Sequence, residues 1–364
     1  MWLLTARDLQ HRALRFGMAI FGTALLFAMV ILVGGVAAGF SSSATGTVTA
    51  MTEGTWILPE GASGAFTSYA AFDAGLADEV VADDEVVPLL IMRGVATSEA
   101  AEAVASADEG DLSSAEATQD IVLVGHVAAG LGGPPVDVGR AASGLDEVVA
   151  SSAAELPIGS SVWVGERDLE VVGTADGMTM FAGTPLLFVD LEVARDIAVE
   201  GRPAATALLT SGTVSSLPDG LVAIAATAVA DDALRLIEDA VGTIDIINVL
   251  LWIVAASVIG AVVYLSALDR LRDFAVLKAI GASTRSLLVG LALQATIVAV
   301  VAAVLAIGLA ELLVPVFPLH VAIDPGTFIR LPLLAVGVGL LASLGGLRRA
   351  VGVDPAAAFS GPGG

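Results

Sequence analysis

Residues Gly17 to Gly39 read GMAIFGTALLFAMVILVGGVAAG, an uninterrupted apolar run with no charged residue. A helix needs about 20 such residues to cross the hydrocarbon of a bilayer. A cleaved secretory leader is also apolar, and Val36, Ala37 and Ala38 supply small residues near a plausible cleavage point. The apolar core of a leader runs only about 7 to 15 residues, so the length favours a retained anchor. Three further stretches share the character: Ile246 to Leu268, Leu287 to Leu313 and Leu331 to Leu347. A charge at mid-span costs about 2.5 to 3.5 kcal/mol on insertion scales. None of the runs carries one there, and Glu311 falls near an end. The mean hydropathy of +0.87 agrees with a chain that lies partly in lipid.

The formal charge of −23 is unevenly distributed, since the acidic residues concentrate between Ser41 and Ala240. An acidic middle argues against nucleic acid as a partner. The basic residues outside it are Arg7, Arg12, Arg15, Arg270, Arg272, Lys278, Arg285, Arg330, Arg348 and Arg349. All but Arg330 flank an apolar run on one side, and Lys and Arg near a span are retained in the cytoplasm. Both termini and the 269–286 connection are therefore expected inside the plasma (inner) membrane, and the acidic middle outside.

The expected layout is an α-helical membrane protein with four transmembrane helices and an α+β extracytoplasmic domain inserted between helices 1 and 2. Residues 1–16 place Trp2, Ala6, Leu9, Ala13 and Phe16 at helical spacing, as in an amphipathic helix on the cytoplasmic surface. The spans are 17–39, 246–268, 287–313 and 331–347. The domain occupies 41–240, a short outer loop 314–330 and a cytoplasmic tail 348–364.

Within the domain, strands are expected at Thr55–Leu58, Val86–Met92, Ile121–Val127, Ser161–Val164, Leu169–Gly173, Leu186–Asp190 and Thr206–Leu209, with a hairpin at Gly165, Glu166 and Arg167. Helices are expected at Leu145–Ala154, capped by Ser143 with Asp146 and Glu147 in its first turn, and at Val229–Val241. Thr97 to Asp120, rich in Ala, Ser, Glu and Asp, reads as a mobile lobe or solvated helix.

The connection between the second and third spans reads Leu268-DRLRDFAVLKAIGA-Ser283. Leu271, Phe274 and Leu277 recur at i, i+3 and i+6, Asp269 can pair with Arg272, Gly281 suits a helix end, and Ser283 suits the start of the next helix. A short helix along the inner membrane face follows from that punctuation.

These residues resemble the MacB/FtsX-type ABC transporter permeases, the DevC/HrtB/LolC-like four-helix kind, whose cytoplasmic loop carries charged residues, an apolar pair, Arg or Lys, then Ala-Ile-Gly-Ala-Ser. The match runs through Arg270, Arg272, Phe274, Val276, Leu277, Lys278, Ala279, Ile280, Gly281, Ala282 and Ser283. Phe274 and Ala275 depart from a common Ile-Gly pair, and Lys278 replaces a frequent Arg. The tail Leu347-RRAVGVDPAA-Ala358 is similar to the family's Arg-x-x-x-Asp-Pro-Ala ending. Leu156–Gly165 followed by Leu169–Gly173 is similar to its outer-domain strand pair.

The resemblance implies a permease subunit, not an enzyme, that couples ATP hydrolysis by a partner to export or extraction of an amphipathic molecule. Its partners would be two copies of an ABC ATPase, a second permease copy or paralogue, membrane lipids, and an amphipathic small-molecule, haem or lipid substrate. An alternative is an FtsX-like regulator that activates a cell-wall hydrolase or signalling partner and carries no cargo. The implied ATPase-coupling residues are Asp269, Arg270, Leu271, Arg272, Phe274, Val276, Leu277, Lys278, Ala279, Gly281 and Ala282.

A nucleotide site is not expected in this chain, because the lone lysine, Lys278, precedes Ala279 and completes no Gly-Lys-Ser/Thr loop. No catalytic residue, metal site or resident cofactor is expected either, with ATP and magnesium assigned to the partner subunit. His11, His126 and His320 are isolated, cysteine is absent, and the acidic runs Asp83–Glu85 and Asp231–Asp232 read as solvated faces. Candidate substrate-facing acids are Glu238, Asp239, Asp245 and Glu311. Gly35 and Gly39 form a Gly-x-x-x-Gly pair suited to close helix packing.

Overall fold

Ala13–Met51 forms one helix, α1, that runs past the apolar stretch into the polar residues from Ser41 onward. The computed structural model describes residues 13–98, 118–128, 130–268, 276, 283–316, 321–323 and 325–351. The chain divides into two compact units, Phe40–Ala240 and the remainder.

The 40–240 unit is built on a mixed sheet. Its principal strands are β1 (Thr55–Pro59), β2 (Val87–Ser98), β3 (Thr118–His126), β4 (Glu147–Ser151), β5 (Ser161–Val164), β6 (Arg167–Ala175), β7 (Thr184–Asp190), β8 (Ala207–Thr210) and β9 (Leu221–Ala225). The long strand β2 pairs antiparallel with β3, β5 and β8 along different parts of its length. β3 and β7 are parallel, β7 and β4 antiparallel, β4 and β6 parallel, and β6 and β5 antiparallel, which closes a hydrogen-bonded circuit back to β2. β8, β1 and β9 extend the sheet from β2 in that order, each neighbouring pair antiparallel although the strands are not consecutive in the chain.

The sheet buries both faces, so its inner strands are near-continuous apolar runs. One face gathers Leu90, Leu123, Ala150, Val171 and Leu187 against helix α2 (Leu191–Val199). The other gathers Trp56, Val124, Val149 and Phe188 with Val229 and Ala233 of α3 (Ala226–Arg235). Ala44, Val48 and Met51 of α1 join this second core, and Thr47 Oγ1 donates to the Thr179 carbonyl at 3.1 Å.

All seven expected strands lie within or beside observed ones, and the hairpin forms with Val164 opposite Arg167 across Gly165, whose φ of +63° suits glycine. The helix expected over Leu145–Ala154 is a strand, β4, followed by a single 3-10 turn at Ser152–Ala154. The acids read as a first helical turn have another use. The Glu147 carboxylate accepts from Ser143 N at 2.8 Å, Gly144 N at 3.0 Å and both Arg140 guanidinium arms at 2.7 and 2.6 Å, clamping the loop that enters β4. Val148 and Val149 then pack on opposite faces.

The helix expected over Val229–Val241 is interrupted at Leu236 and Ile237, between α3 and α4 (Glu238–Leu268). In the 97–120 segment, Thr97 pairs with Thr118, so its ends are strand; the rest lies outside the described residues, as does the amphipathic stretch before Ala13. The acidic runs are not uniformly solvated. Asp232 is 5% exposed and accepts from the Thr67 hydroxyl, while Asp83 and Asp84 accept from Thr213 and Ser211.

Burial holds the His126 imidazole below its usual pKa, and its Nδ1 lies 3.1 Å from the Val127 carbonyl. The unfolded chain therefore takes up that proton first, and stability falls as pH drops below about 6.5. Glu147, held at about 2 by the Arg140 guanidinium and the Ser143 amide, acts at lower pH, between its ordinary 4.5 and about 2. Between pH 7.5 and 5.5 the thermal midpoint of the 40–240 unit should fall in the wild type and fall less in His126→Gln. Equal slopes would remove His126 as the cause.

The other unit contains the first part of α1, α4, α5 (Thr284–Leu313) and α6 (Thr327–Val351). Among the described residues, Phe16–Met51, Glu238–Leu265 and Val289–Val316 are long and apolar enough to cross a membrane, and Thr327–Val338 is a shorter apolar helix. A stripe of small residues on α5, Ala295, Ala299, Ala302, Ala306 and Ala310, is fully buried and lets the helices approach closely. Phe27 of α1 and Trp252 of α4 are in contact with ring centroids 5.2 Å apart and planes tilted by 47°.

Candidate functional site

The membrane unit contains a partly open cavity of about 340 Å³. Val30, Ile31, Gly34 and Ala38 of α1 form one wall, Asn248 and Trp252 of α4 a second, and Leu331 and Leu334 of α6 a third. Ala322 and Ile323, which precede α6, complete the lining. The chain reaches this position because Gly35 has no side chain: a Cβ there would lie 2.5 Å from Val321 Cγ1. The Ala322 amide donates to the Gly35 carbonyl at 3.0 Å. Gly35 thus admits a neighbouring segment of its own chain.

The cavity is apolar except for Asn248, Thr327 and Arg330. The Asn248 side-chain carbonyl is buried without a hydrogen-bond partner, an arrangement that costs about 1 to 3 kcal/mol when nothing fills it. Arg330 sits in the first turn of α6, its amide donating to the Gly326 carbonyl at 2.9 Å.

None of the four acids expected to face substrate lines this cavity. Glu238 and Asp239 occupy the first turn of α4, where negative charge complements the helix N-terminus. Asp245 is exposed further along α4, and Glu311 is exposed in the last turn of α5, where the helix dipole offers a carboxylate no support.

On the 40–240 unit, the Arg93 guanidinium lies 4.0 Å from the centroid of the Phe181 ring, and its Nε donates to the Tyr69 hydroxyl at 3.0 Å. Burial raises the Tyr69 phenol and Arg93 partly offsets this. The group ties the loop after β1 to the sheet. No cluster of three or more metal-ligating side chains occurs among the described residues.

Residues 246–355 match the FtsX-like permease C-terminal family. Over 98% of both chains, the sequence is 40% identical to the uncharacterized ABC transporter permease Rv0072 of Mycobacterium tuberculosis. It is 39% identical over the same share to the uncharacterized ABC transporter permease Rv2563 of that organism. The chain belongs to the FtsX-like ABC transporter permeases. Two solved structures align with about half of the permease, covering 52% of it in each case. They are the extracellular domain of the noncanonic ABC-type transporter YknZ from Gram-positive bacteria (TM-score 0.29, 19% identity, 95% of that chain) and the periplasmic region of MacB from Actinobacillus actinomycetemcomitans (TM-score 0.30, 14% identity, 85% of that chain). Neither alignment is close enough to bear on the permease's fold.

The family match encloses the loop read as ATPase-coupling. Of that loop, Asp269, Arg270, Leu271, Arg272, Phe274, Leu277, Lys278, Ala279, Gly281 and Ala282 lie outside the described residues. Val276 is helical and 54% exposed, and the helix that follows starts at Thr284. The sequence reading passed over Asn248 and Thr327. Asn248 carried a signal, being an amide inside an apolar span, where polar residues are expensive. Arg330 carried another as the basic residue outside the cytoplasmic pattern.

Proposed function

We propose that this permease couples ATP hydrolysis by a separate ATPase subunit to export or extraction of an amphipathic substrate from the membrane or its outer face. What supports the reading is near-full-length identity to proteins named ABC transporter permeases, together with the family match over residues 246–355. In this reading the chain crosses the plasma membrane four times, with α6 as the last span, both termini cytoplasmic and the 40–240 unit outside. Two ATPase copies dock on the 269–282 loops of two permeases, either identical or paralogous. The chain contributes no nucleotide site, and Mg-ATP is bound by the ATPase. Closure of the ATPases moves the loops, tilts the spans and rearranges the outer units.

Co-expression with the ATPase, affinity purification and mass spectrometry of co-purifying small molecules test the reading. The expected result is a complex whose turnover an amphipathic ligand stimulates. Retention of a cell-wall hydrolase by the 40–240 unit, with no ligand-stimulated turnover, would instead indicate a regulator.

Topology has its own test, and the absence of native cysteine makes it clean. A cysteine at exposed Ser216 should react with an impermeant maleimide in intact cells, and one at exposed Ser283 only after permeabilisation. Labelling at Ser283 in intact cells would reverse the orientation.

A further inference from the structure

We propose that the sheet of the 40–240 unit continues across a two-fold axis, with β9 of one permease pairing antiparallel with β9 of a second, identical copy. The inference rests on the paired-permease reading above and selects identical copies over paralogues. β9 is the last strand at its end of the sheet, bonded to β1 on one side and, among the described residues, to no strand on the other. At the opposite end the two-residue strand Thr179–Met180 is covered, since Thr47 of α1 donates to the Thr179 carbonyl. β9 has no such cover. Leu221–Ala225 also lacks the charge, proline or bulge by which exposed edges ordinarily resist pairing.

Which groups face the open edge follows from the ladder, because hydrogen-bonded and non-hydrogen-bonded positions alternate in an antiparallel pair. Glu60 N donates to the Gly220 carbonyl at 2.7 Å, in the register that sets Pro59 opposite Leu221. Val222 and Ile224 therefore turn their amides and carbonyls toward β1, and Leu221, Ala223 and Ala225 turn theirs to the open edge. Two of these groups are already used. The Leu221 amide donates to the Pro218 carbonyl at 3.3 Å, and Ala225 is the N-cap of α3, so its carbonyl accepts the first bond of that helix. The Leu221 carbonyl, both groups of Ala223 and the Ala225 amide are left. That set is its own complement. With Ala223 opposite Ala223 of the second copy, the two residues exchange both bonds, and each Ala225 amide meets the other copy's Leu221 carbonyl.

Charge agrees with a second copy as the occupant. The chain carries a formal −23, yet the nearest charged residues to the strand are Asp219 and Asp231, and this register sets Asp219 opposite Thr227. Ala223 and Ala225 are small and exposed, leaving the edge open to approach. Two five-residue edges bury far less than the roughly 1,200 Å² of a stable soluble complex. The pairing therefore acts between copies already confined to one membrane, where effective concentration supplies what affinity does not.

The test uses the full-length permease in membranes, where the absence of native cysteine lets introduced cysteines report register. On oxidation with copper phenanthroline, Ala223→Cys should form a disulfide-linked dimer, because hydrogen-bonded antiparallel partners lie about 5.5 Å apart at Cα, within disulfide reach. Leu221→Cys and Ala225→Cys should each cross-link about tenfold less on their own, since four strand positions, roughly 14 Å, separate each from the same residue of the second copy. Co-expressed, those two variants should cross-link to one another, and this pair decides the matter if Ala223→Cys fails to fold. Adding Ala223→Lys sets like charges face to face and should cut that mixed cross-link about fivefold, whereas Ala223→Thr should preserve it. Two differently tagged wild-type copies, purified on one tag, score association independently. Co-purification with equal cross-linking at all three positions, or with none at Ala223 and none in the mixed pair, overturns the edge pairing and leaves the paired-permease reading standing. No cross-link together with no co-purification overturns pairing of identical copies altogether.

Discussion

A permease carrying Leu277→Asp should insert and fold normally yet purify without its ATPase. The expectation rests on the proposed coupling role of the 269–282 loop, where Leu271, Phe274 and Leu277 recur at helical spacing as an apolar ridge. Helix-in-groove contacts concentrate their energy in a few buried anchors, and truncating one typically costs more than about 1 kcal/mol. An aspartate adds the desolvation of a charge, so recruitment should weaken at least about tenfold, the equivalent of roughly 1.4 kcal/mol. Phe274→Ala should behave similarly. Arg272→Gln should do less, because the surface pair expected with Asp269 would be worth only about 0.3 to 0.5 kcal/mol. Wild-type ATPase stoichiometry and normal export from the Leu277→Asp protein would show that coupling lies elsewhere.

Ala150→Asp should unfold the 40–240 unit while Leu145→Ser leaves it intact. Ala150 is fully buried in β4, opposite Leu187 on one side and Thr174 on the other. A carboxylate there has no cation to meet and should cost about 3 to 5 kcal/mol, a large share of a domain's stability. Leu145 is 55% exposed in the loop before the strand, so its replacement should move stability by less than about 0.5 kcal/mol. A helix over Leu145–Ala154 would give the reverse order, with Leu145 on the buried stripe and Ala150 off it. Proteolysis or thermal unfolding of the two variants separates the structures.

The error over β4 shows where local pattern stops being informative. Leu145, Val148 and Val149 match a helical stripe, and Asp146 with Glu147 match a first turn, yet the run is also a short apolar strand covered on both faces. Periodicity cannot separate the two in so short a segment. What decides is non-local: β6 and β7 offer ladder partners on either side, and Arg140 draws Glu147 into a loop clamp. The continuation of α1 to Met51 was hidden for a related reason. Ser41–Ala50 is rich in Ser, Thr and Gly, poor helix formers, and the stretch gains its helix from Ala44, Val48 and Met51 packing into a core built by distant strands.

By itself the sequence determined the apolar runs, the acidic character of the segment between the first two, most strands of that segment and the family. Each of these depends on composition or on short-range spacing, which a chain carries whether or not it is folded. The cavity in the membrane unit was decided by tertiary structure alone. Asn248 is far in the chain from Thr327 and Arg330, which share the first turn of α6, and the two places meet only because Gly35 lets the segment at Val321 and Ala322 come against α1. Which polar group ends up buried without a partner is a property of packing, since it depends on what every neighbouring side chain leaves unfilled.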